Sequence, residues 1–333
     1  MLPFAVALVC TAIAVLPARW LAFRLGAVAE PGERRIHRQP TGRLGGLALY
    51  IGFGLSAALF SINSHTLGLL LAAATIATLM VFDDIHGVRA LWKLGFQLLA
   101  SLLAIAFGIF IESLALPGQQ HATNLALAVS LPLTIVWFVA LQNTINLIDG
   151  VDGLAAGVVA IVAATLLLAA INRDQKDIVI LSGALIGACV GFLFFNWHPA
   201  RIFMGDSGSN FLGFALAALS VLSVAKEAVL LALLVPVLAL AIPIFDTGWA
   251  ILRRRMGGRS IAMPDTGHLH HRLLDFGLSP RETALVFYFG TAIFAALGLA
   301  VYGHKKVLLG AIVLLLLGIV IIMLRRFHRI SRG

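Results

Sequence analysis

Long apolar segments recur along the whole chain, and they leave few folds open. Eleven stretches of mostly apolar residues occupy 2–22, 45–62, 66–82, 94–112, 124–142, 154–171, 178–195, 210–224, 229–251, 284–302 and 307–324 of the 333 residues, the eighth being short. A run of about 18–22 such residues crosses a ~30 Å hydrocarbon core as a helix, which satisfies its own backbone hydrogen bonds where no water can. With 60% hydrophobic residues, 12% charged and a mean hydropathy of +1.00, the composition lies outside that of a soluble domain. The spacing predicts an all-α polytopic membrane protein of about eleven transmembrane helices, one integral-membrane domain over 1–333. No basic residues precede the first segment and no small-residue cleavage site follows it, so it is expected to be a retained span rather than a signal peptide. Cys10 and Cys189 fall inside spans as small buried hydrophobes and support neither a disulfide nor a metal site.

Basic residues set the orientation, because Lys and Arg are retained on the cytoplasmic side. Counted over alternate connections, 19 of the 24 lie on one side: Arg19, the 23–44 loop, Arg89, Lys93, Arg201, the 252–283 loop and the tail. The N-terminus is therefore expected in the periplasm and the C-terminus in the cytoplasm. The net charge of +9 is first of all this topology signal. It also favours anionic lipid headgroups, whereas no folded basic domain supports nucleic-acid binding.

Acidic residues played no part in that orientation, yet every acidic motif falls on the cytoplasmic side. Loops 23–44, 83–93, 143–153, 196–209 and 252–283 are expected to form one site there, where a water-soluble substrate meets a membrane-embedded one. Adjacent Asp83 and Asp84 repel each other at a membrane boundary, so a cation or a basic partner such as Lys93 is required. A solvated helix end is the plain alternative.

In Asn143-Thr-Ile-Asn146-Leu-Ile-Asp149-Gly-Val-Asp152-Gly, polar residues recur every three positions and end among glycines that let a backbone approach a ligand. Their oxygens suit a hard cation that keeps several waters and binds substrate phosphates. A calcium EF-hand is excluded by ligand spacing and the missing terminal Glu. In Phe-Met-Gly205-Asp206-Ser207-Gly208-Ser209-Asn210, one acid stands among glycines and hydroxyls at a helix start, a setting for phosphate as well as for helix capping. Asp246 is an acid near a span end and a site candidate by that placement.

The 252–283 loop carries Arg253, Arg254 and Arg255, read as a membrane anchor, then Asp265 and His268-Leu-His270-His271-Arg272. Zinc is disfavoured because no Cys accompanies the histidines and adjacent His270 and His271 splay on a helix. Imidazoles beside Arg272 fit better as donors to a diphosphate. An ion-coupled transporter would place its acids near the bilayer midplane. A CDP-alcohol phosphotransferase would concentrate them in one compact motif.

The ordered motifs RRIHRQPTGRLGG, VFDDIHGVRALWKLGFQ, NTINLIDGVDGLAAG, GFLFFNWHPARIFMGDSGSNFLGF, IPIFDT and HLHHRL, from about residue 30 to 282, resemble the polyprenyl-phosphate N-acetylhexosamine-1-phosphate transferases. These bacterial enzymes begin O-antigen, enterobacterial common antigen and wall teichoic acid chains on a lipid carrier. Similarity to the phospho-MurNAc-pentapeptide translocases is more distant, since HLHHR replaces three consecutive histidines. Gly42 also stands where a proline is frequent.

The resemblance implies a multi-pass protein of the bacterial inner membrane with its active site facing the cytoplasm. It implies transfer of N-acetylhexosamine-1-phosphate from a UDP-sugar, foremost UDP-GlcNAc, to undecaprenyl phosphate with release of UMP. UDP-FucNAc and UDP-QuiNAc are the alternative donors. Mg²⁺, with Mn²⁺ as substitute, is expected on Asp152 and Asp206. Asp83, Asp84 and Asp149 are expected as catalytic residues. Lys93, Asn143, Asn146, Asp246, His268, His270, His271 and Arg272 are expected to bind substrate. The lipid bilayer and a second copy of the chain complete the expected partners.

Overall fold

A computed structural model describes residues 1–30, 40–114, 123–171, 173–223 and 269–301. Ten helices occur among them: α1 (Leu2–Leu25), α2 (Gly45–Phe60), α3 (Ser64–His86), α4 (Ala90–Ala106), α5 (Leu127–Ile148), α6 (Leu154–Ile171), α7 (Lys176–Asn196), α8 (Gly205–Leu222), α9 (Leu269–Asp275) and α10 (Pro280–Val301). Six of these, α1, α3, α5, α6, α7 and α10, are long and apolar enough to cross a bilayer, while α2 and α4 are shorter apolar helices. Nine of the expected apolar segments thus coincide with helices, and those at 229–251 and 307–324 lie outside the described residues.

The all-α expectation needs one small correction. Two antiparallel pairs of two residues each occur, β1 (Val28–Ala29) with β2 (Thr41–Gly42) and β3 (Ser113–Leu114) with β4 (Thr123–Asn124). The first pair closes the base of the 23–44 connection and ties the end of α1 to the start of α2.

Local chemistry sets the helix ends. Gly26 ends α1 in the left-handed region at φ 72°, and Gly87 ends α3 at φ 66°. Asn63 begins α3 by accepting the Thr66 N–H at 2.8 Å. Packing then follows side-chain size. Gly187 and Gly191 on α7 let α1 approach so closely that a Cβ at either position would lie 2.1 Å from Phe4 O or 2.4 Å from Leu8 O. Such small-residue contacts replace the hydrophobic drive that helices lack in lipid.

Helix α8 is the centre of the bundle. It is buried from Ser207 to Val221 and packs against α2, α3 and α5. An all-round buried helix suits a core position. Outward-facing Ile13, Leu16, Trp20, Leu91 and Trp92 leave an apolar exterior suited to lipid.

Candidate active site

Three helices bring polar residues together at helical spacing. Lys93 and Gln97 lie four apart on α4, Asn143 and Asn146 three apart on α5, and Asp206, Ser209 and Asn210 share one face of α8. Their side chains interlock. The Lys93 ammonium bridges Asp83 Oδ2 at 2.6 Å and Asp206 Oδ2. Asn146 donates to Asp206 Oδ1 at 3.1 Å and to Ser209 Oγ at 2.9 Å. Gln97 donates to Asn210 Oδ1 at 2.7 Å and accepts from Asn143 at 3.0 Å. Gln97 and Asn210 are buried, and an amide there is tolerable only because it is paired.

Asp84 serves the start of α8. Its two carboxylate oxygens accept the Asp206 N–H at 2.8 Å and the Ser207 N–H at 3.0 Å, where Met204 supplies no side-chain cap. A negative charge at a helix N-terminus is favoured by the free N–H groups and the macrodipole. Gly205 makes the approach feasible: its φ is 72°, and a Cβ there would lie 2.0 Å from Arg43 O and 2.5 Å from Asp84 Oδ2. The segment 42–46 is stitched to this turn, with Phe203 N on Gly42 O (2.8 Å), Gly45 N on Phe203 O (3.0 Å) and Gly46 N on Met204 O (2.9 Å).

Asp149 follows the last turn of α5, and its carboxylate accepts no hydrogen bond among the described residues. Burial and the nearby Asp206 carboxylate push its pKa well above the usual carboxylate range. The Arg43 guanidinium opposes this, while Asp84 and Asp152 add to it. Asp152 is held through Oδ2 alone, by His198 Nδ1 at 2.6 Å and the Ala200 N–H at 3.1 Å, which leaves Oδ1 open. Arg281 on α10 grips the His198 carbonyl through Nε and Nη2 at 2.9 and 2.7 Å, and Tyr288 donates to Gly153 O at 2.6 Å.

Convergence of the acidic motifs is therefore a feature of the fold: Asp83, Asp84, Asp149, Asp152 and Asp206 meet at one end of the bundle. Within the expected connections, Asp149 and Asp152 lie between α5 and α6, whereas Asp83, Asp84, Lys93, Asn143, Asn146 and Asp206 lie inside helix ends. The physical reason is the three- and four-residue spacing, which is itself helical and lets each turn present its polar residues on one face. Arg272 is exposed on α9, whose Leu273 and Leu274 pack on the core. His270 and His271 belong to the α9 backbone, but their side chains, like Asp246 and His268, lie outside the described residues.

Sequence reasoning assigned no individual role to Arg43, Gln97, His198 or Asn210, and counted Ser209 only among the hydroxyls of its motif. For Gln97 and Asn210 a signal existed: each is a polar residue in an apolar span, four positions beyond a charged residue already selected.

Among the described residues no three His, Cys, Asp or Glu side chains are grouped so as to hold an ion unaided. The donor set still suits Mg²⁺, which takes one or two carboxylates and completes its shell with water and substrate phosphate. The unbonded Asp149 carboxylate and the open Asp152 Oδ1 are oxygen donors of that kind, in a site where carboxylates outnumber the cations facing them.

Comparison with known proteins identifies the family. The model of glycosyl transferase family 4 matches residues 66–224. The chain is 37% identical over 294 residues to a probable undecaprenyl-phosphate N-acetylglucosaminyl 1-phosphate transferase of Bacillus subtilis, covering 88% of this chain and 82% of that one. It is 36% identical over 355 residues to a decaprenyl-phosphate N-acetylglucosaminephosphotransferase of Mycobacterium tuberculosis, covering 96% and 88%. A phospho-N-acetylmuramoyl-pentapeptide-transferase of Anoxybacillus flavithermus is 31% identical over 291 residues, covering 82% and 87%. The chain belongs to the polyprenyl-phosphate N-acetylhexosamine-1-phosphate transferases of glycosyl transferase family 4, membrane enzymes that move a sugar phosphate onto a polyprenyl phosphate.

Proposed function

We propose that this enzyme transfers N-acetylglucosamine-1-phosphate from UDP-N-acetylglucosamine to undecaprenyl phosphate, releases UMP, and does so at the cytoplasmic face of the bacterial inner membrane. The observation that carries the reading is the meeting of Asp83, Asp84, Asp149, Asp152 and Asp206 at one end of an apolar bundle, with Lys93 among them. The names of the relatives support the sugar, and the bias of basic residues supports the orientation. The lipid-linked product would initiate a surface polysaccharide such as O-antigen.

In this reading the protein supplies position and charge rather than strong base chemistry. A phosphate monoester has its second pKa near ~6, so the acceptor is already largely dianionic at pH 7 and attacks the donor's β-phosphate directly. Lys93, oriented by Asp83 and Asp206, sets positive charge where phosphate oxygens gather. Asp84 and Gly205 fix the first turn of α8 and with it Asp206. His268, His270, His271 and Arg272 hold the donor's phosphates in this proposal, and Asp246 is a further substrate-binding residue. Asn143 and Asn146 orient the groups around them. Mg²⁺, or Mn²⁺ in its place, would be held by Asp206 and Asp152 beside Asp149. When bound it would neutralise the developing charge on the transferred phosphoryl group.

Purified protein incubated with undecaprenyl phosphate and a panel of UDP-GlcNAc, UDP-FucNAc and UDP-QuiNAc tests the reading. UDP-GlcNAc should give the highest kcat/KM for lipid-linked product. Preference for either deoxy sugar would reassign the donor and leave the reaction class standing.

A further inference from the structure

We propose that the Arg43 guanidinium is a phosphate ligand of this site, clamping an oxyanion of one of the two substrates in the reaction proposed above. The inference begins with where the residue is fixed. Its N–H bonds to Ala27 O at 2.9 Å, its carbonyl lies against Gly205, and its neighbours Gly42, Gly45 and Gly46 are hydrogen-bonded to Phe203 and Met204. Arg43 is thus anchored beside the turn that carries Asp206.

Its side chain is unlike those of the other arginines at this end. Arg19, Arg24, Arg89 and Arg201 are exposed, as residues that anchor a protein at a membrane surface should be. Arg43 is half-buried, and among the described residues its guanidinium has no hydrogen-bond or ion-pair partner, although its charge reaches Asp149. Lys93, by contrast, is already engaged by two carboxylates. Partial burial of an unpaired cation is costly unless an anion arrives to share the site. Phosphate is the anion that this chemistry brings, and the planar guanidinium fork binds it through two parallel hydrogen bonds.

The test uses full-length protein carrying Arg43→Gln or Arg43→Lys, in detergent with Mg²⁺. KM is measured for UDP-GlcNAc and for undecaprenyl phosphate separately, and UMP affinity is measured by calorimetry without lipid substrate. Arg43→Gln should weaken one substrate by ~10-fold or more, the scale of a lost charge-assisted contact. Arg43→Lys should recover part of it. A parallel loss of UMP affinity assigns the donor's phosphate, whereas unchanged UMP affinity with a raised acceptor KM assigns the lipid phosphate. Both KM values and UMP affinity within twofold of the parent, whatever kcat does, overturn the proposal. If Arg43→Gln does not fold, Arg43→Lys decides alone, since it keeps the charge but loses the fork: a threefold or larger weakening of either substrate supports the clamp, and a smaller change rejects it. Absence of transfer by the parent from every UDP-sugar would instead overturn the functional reading, and UMP affinity would still judge Arg43.

Discussion

Asp84→Asn separates a structural duty from a chemical one. The substitution is almost isosteric, yet an amide has one acceptor oxygen where the carboxylate uses two, on Asp206 N and Ser207 N. Its NH₂ group would face one of those N–H groups, donor against donor. Losing one charge-assisted bond costs about 1.5–3 kcal/mol, and losing the charge at the start of α8 about 0.3–1 kcal/mol. Asp84 is buried, so relief of its charge burial and of repulsion from Asp206 offsets much of this, and a net loss of about 1–2 kcal/mol is expected. Thermal unfolding followed by tryptophan fluorescence in detergent should show the melting temperature falling by several degrees. Turnover should fall with it by ~100-fold, because Asp206 rides on the displaced turn and small misplacements are amplified in the rate. A variant that melts with the parent but has lost turnover would falsify this account, and Asp84 would then act on the substrate itself.

Three further outcomes are expected. Asp206→Asn should abolish turnover while leaving membrane insertion intact, as judged by purified yield and size-exclusion profile; activity within a few-fold of the parent would remove Asp206 from the site. EDTA should silence the enzyme reversibly, with Mg²⁺ or Mn²⁺ restoring it, and restoration by Zn²⁺ alone would force the histidines to be reconsidered as ligands. Single cysteines in 172–177 should react with an impermeant thiol reagent on whole cells, whereas a cysteine beside His268 should not; the reverse pattern would invert the orientation.

Much of this arrangement is legible in the sequence, and the reasons are physical. Lipid demands that each crossing satisfy its own backbone, so apolar runs such as 154–171 and 178–195 match α6 and α7 within two residues. Charged and amide residues are costly in such runs, so their presence at 83–93, 143–152 and 206 marks a candidate site in the sequence alone. Pairwise geometry was not legible. Nothing in the order of residues says that Asp84 would cap a helix 122 positions away, or that Lys93 would be shared by Asp83 and Asp206. Asn143 and Asn146 looked like loop residues because polar residues break an apolar run, yet their spacing by three continues α5, while Asp149 and Asp152 do lie in the connection after it. Gly205 stood in a visible motif, but its function depends on Arg43 O and Asp84 meeting there from elsewhere in the chain.

The central claim is that a sugar phosphate, and not a bare sugar, passes to the polyprenyl phosphate. Uridine-labelled UDP-GlcNAc supplied to purified protein with undecaprenyl phosphate and Mg²⁺ tests it most directly, with the labelled nucleotide product separated by chromatography. One UMP should appear for each lipid-linked diphosphate formed, and none without the lipid. Release of UDP would mean transfer of the sugar alone, and it would contradict the account.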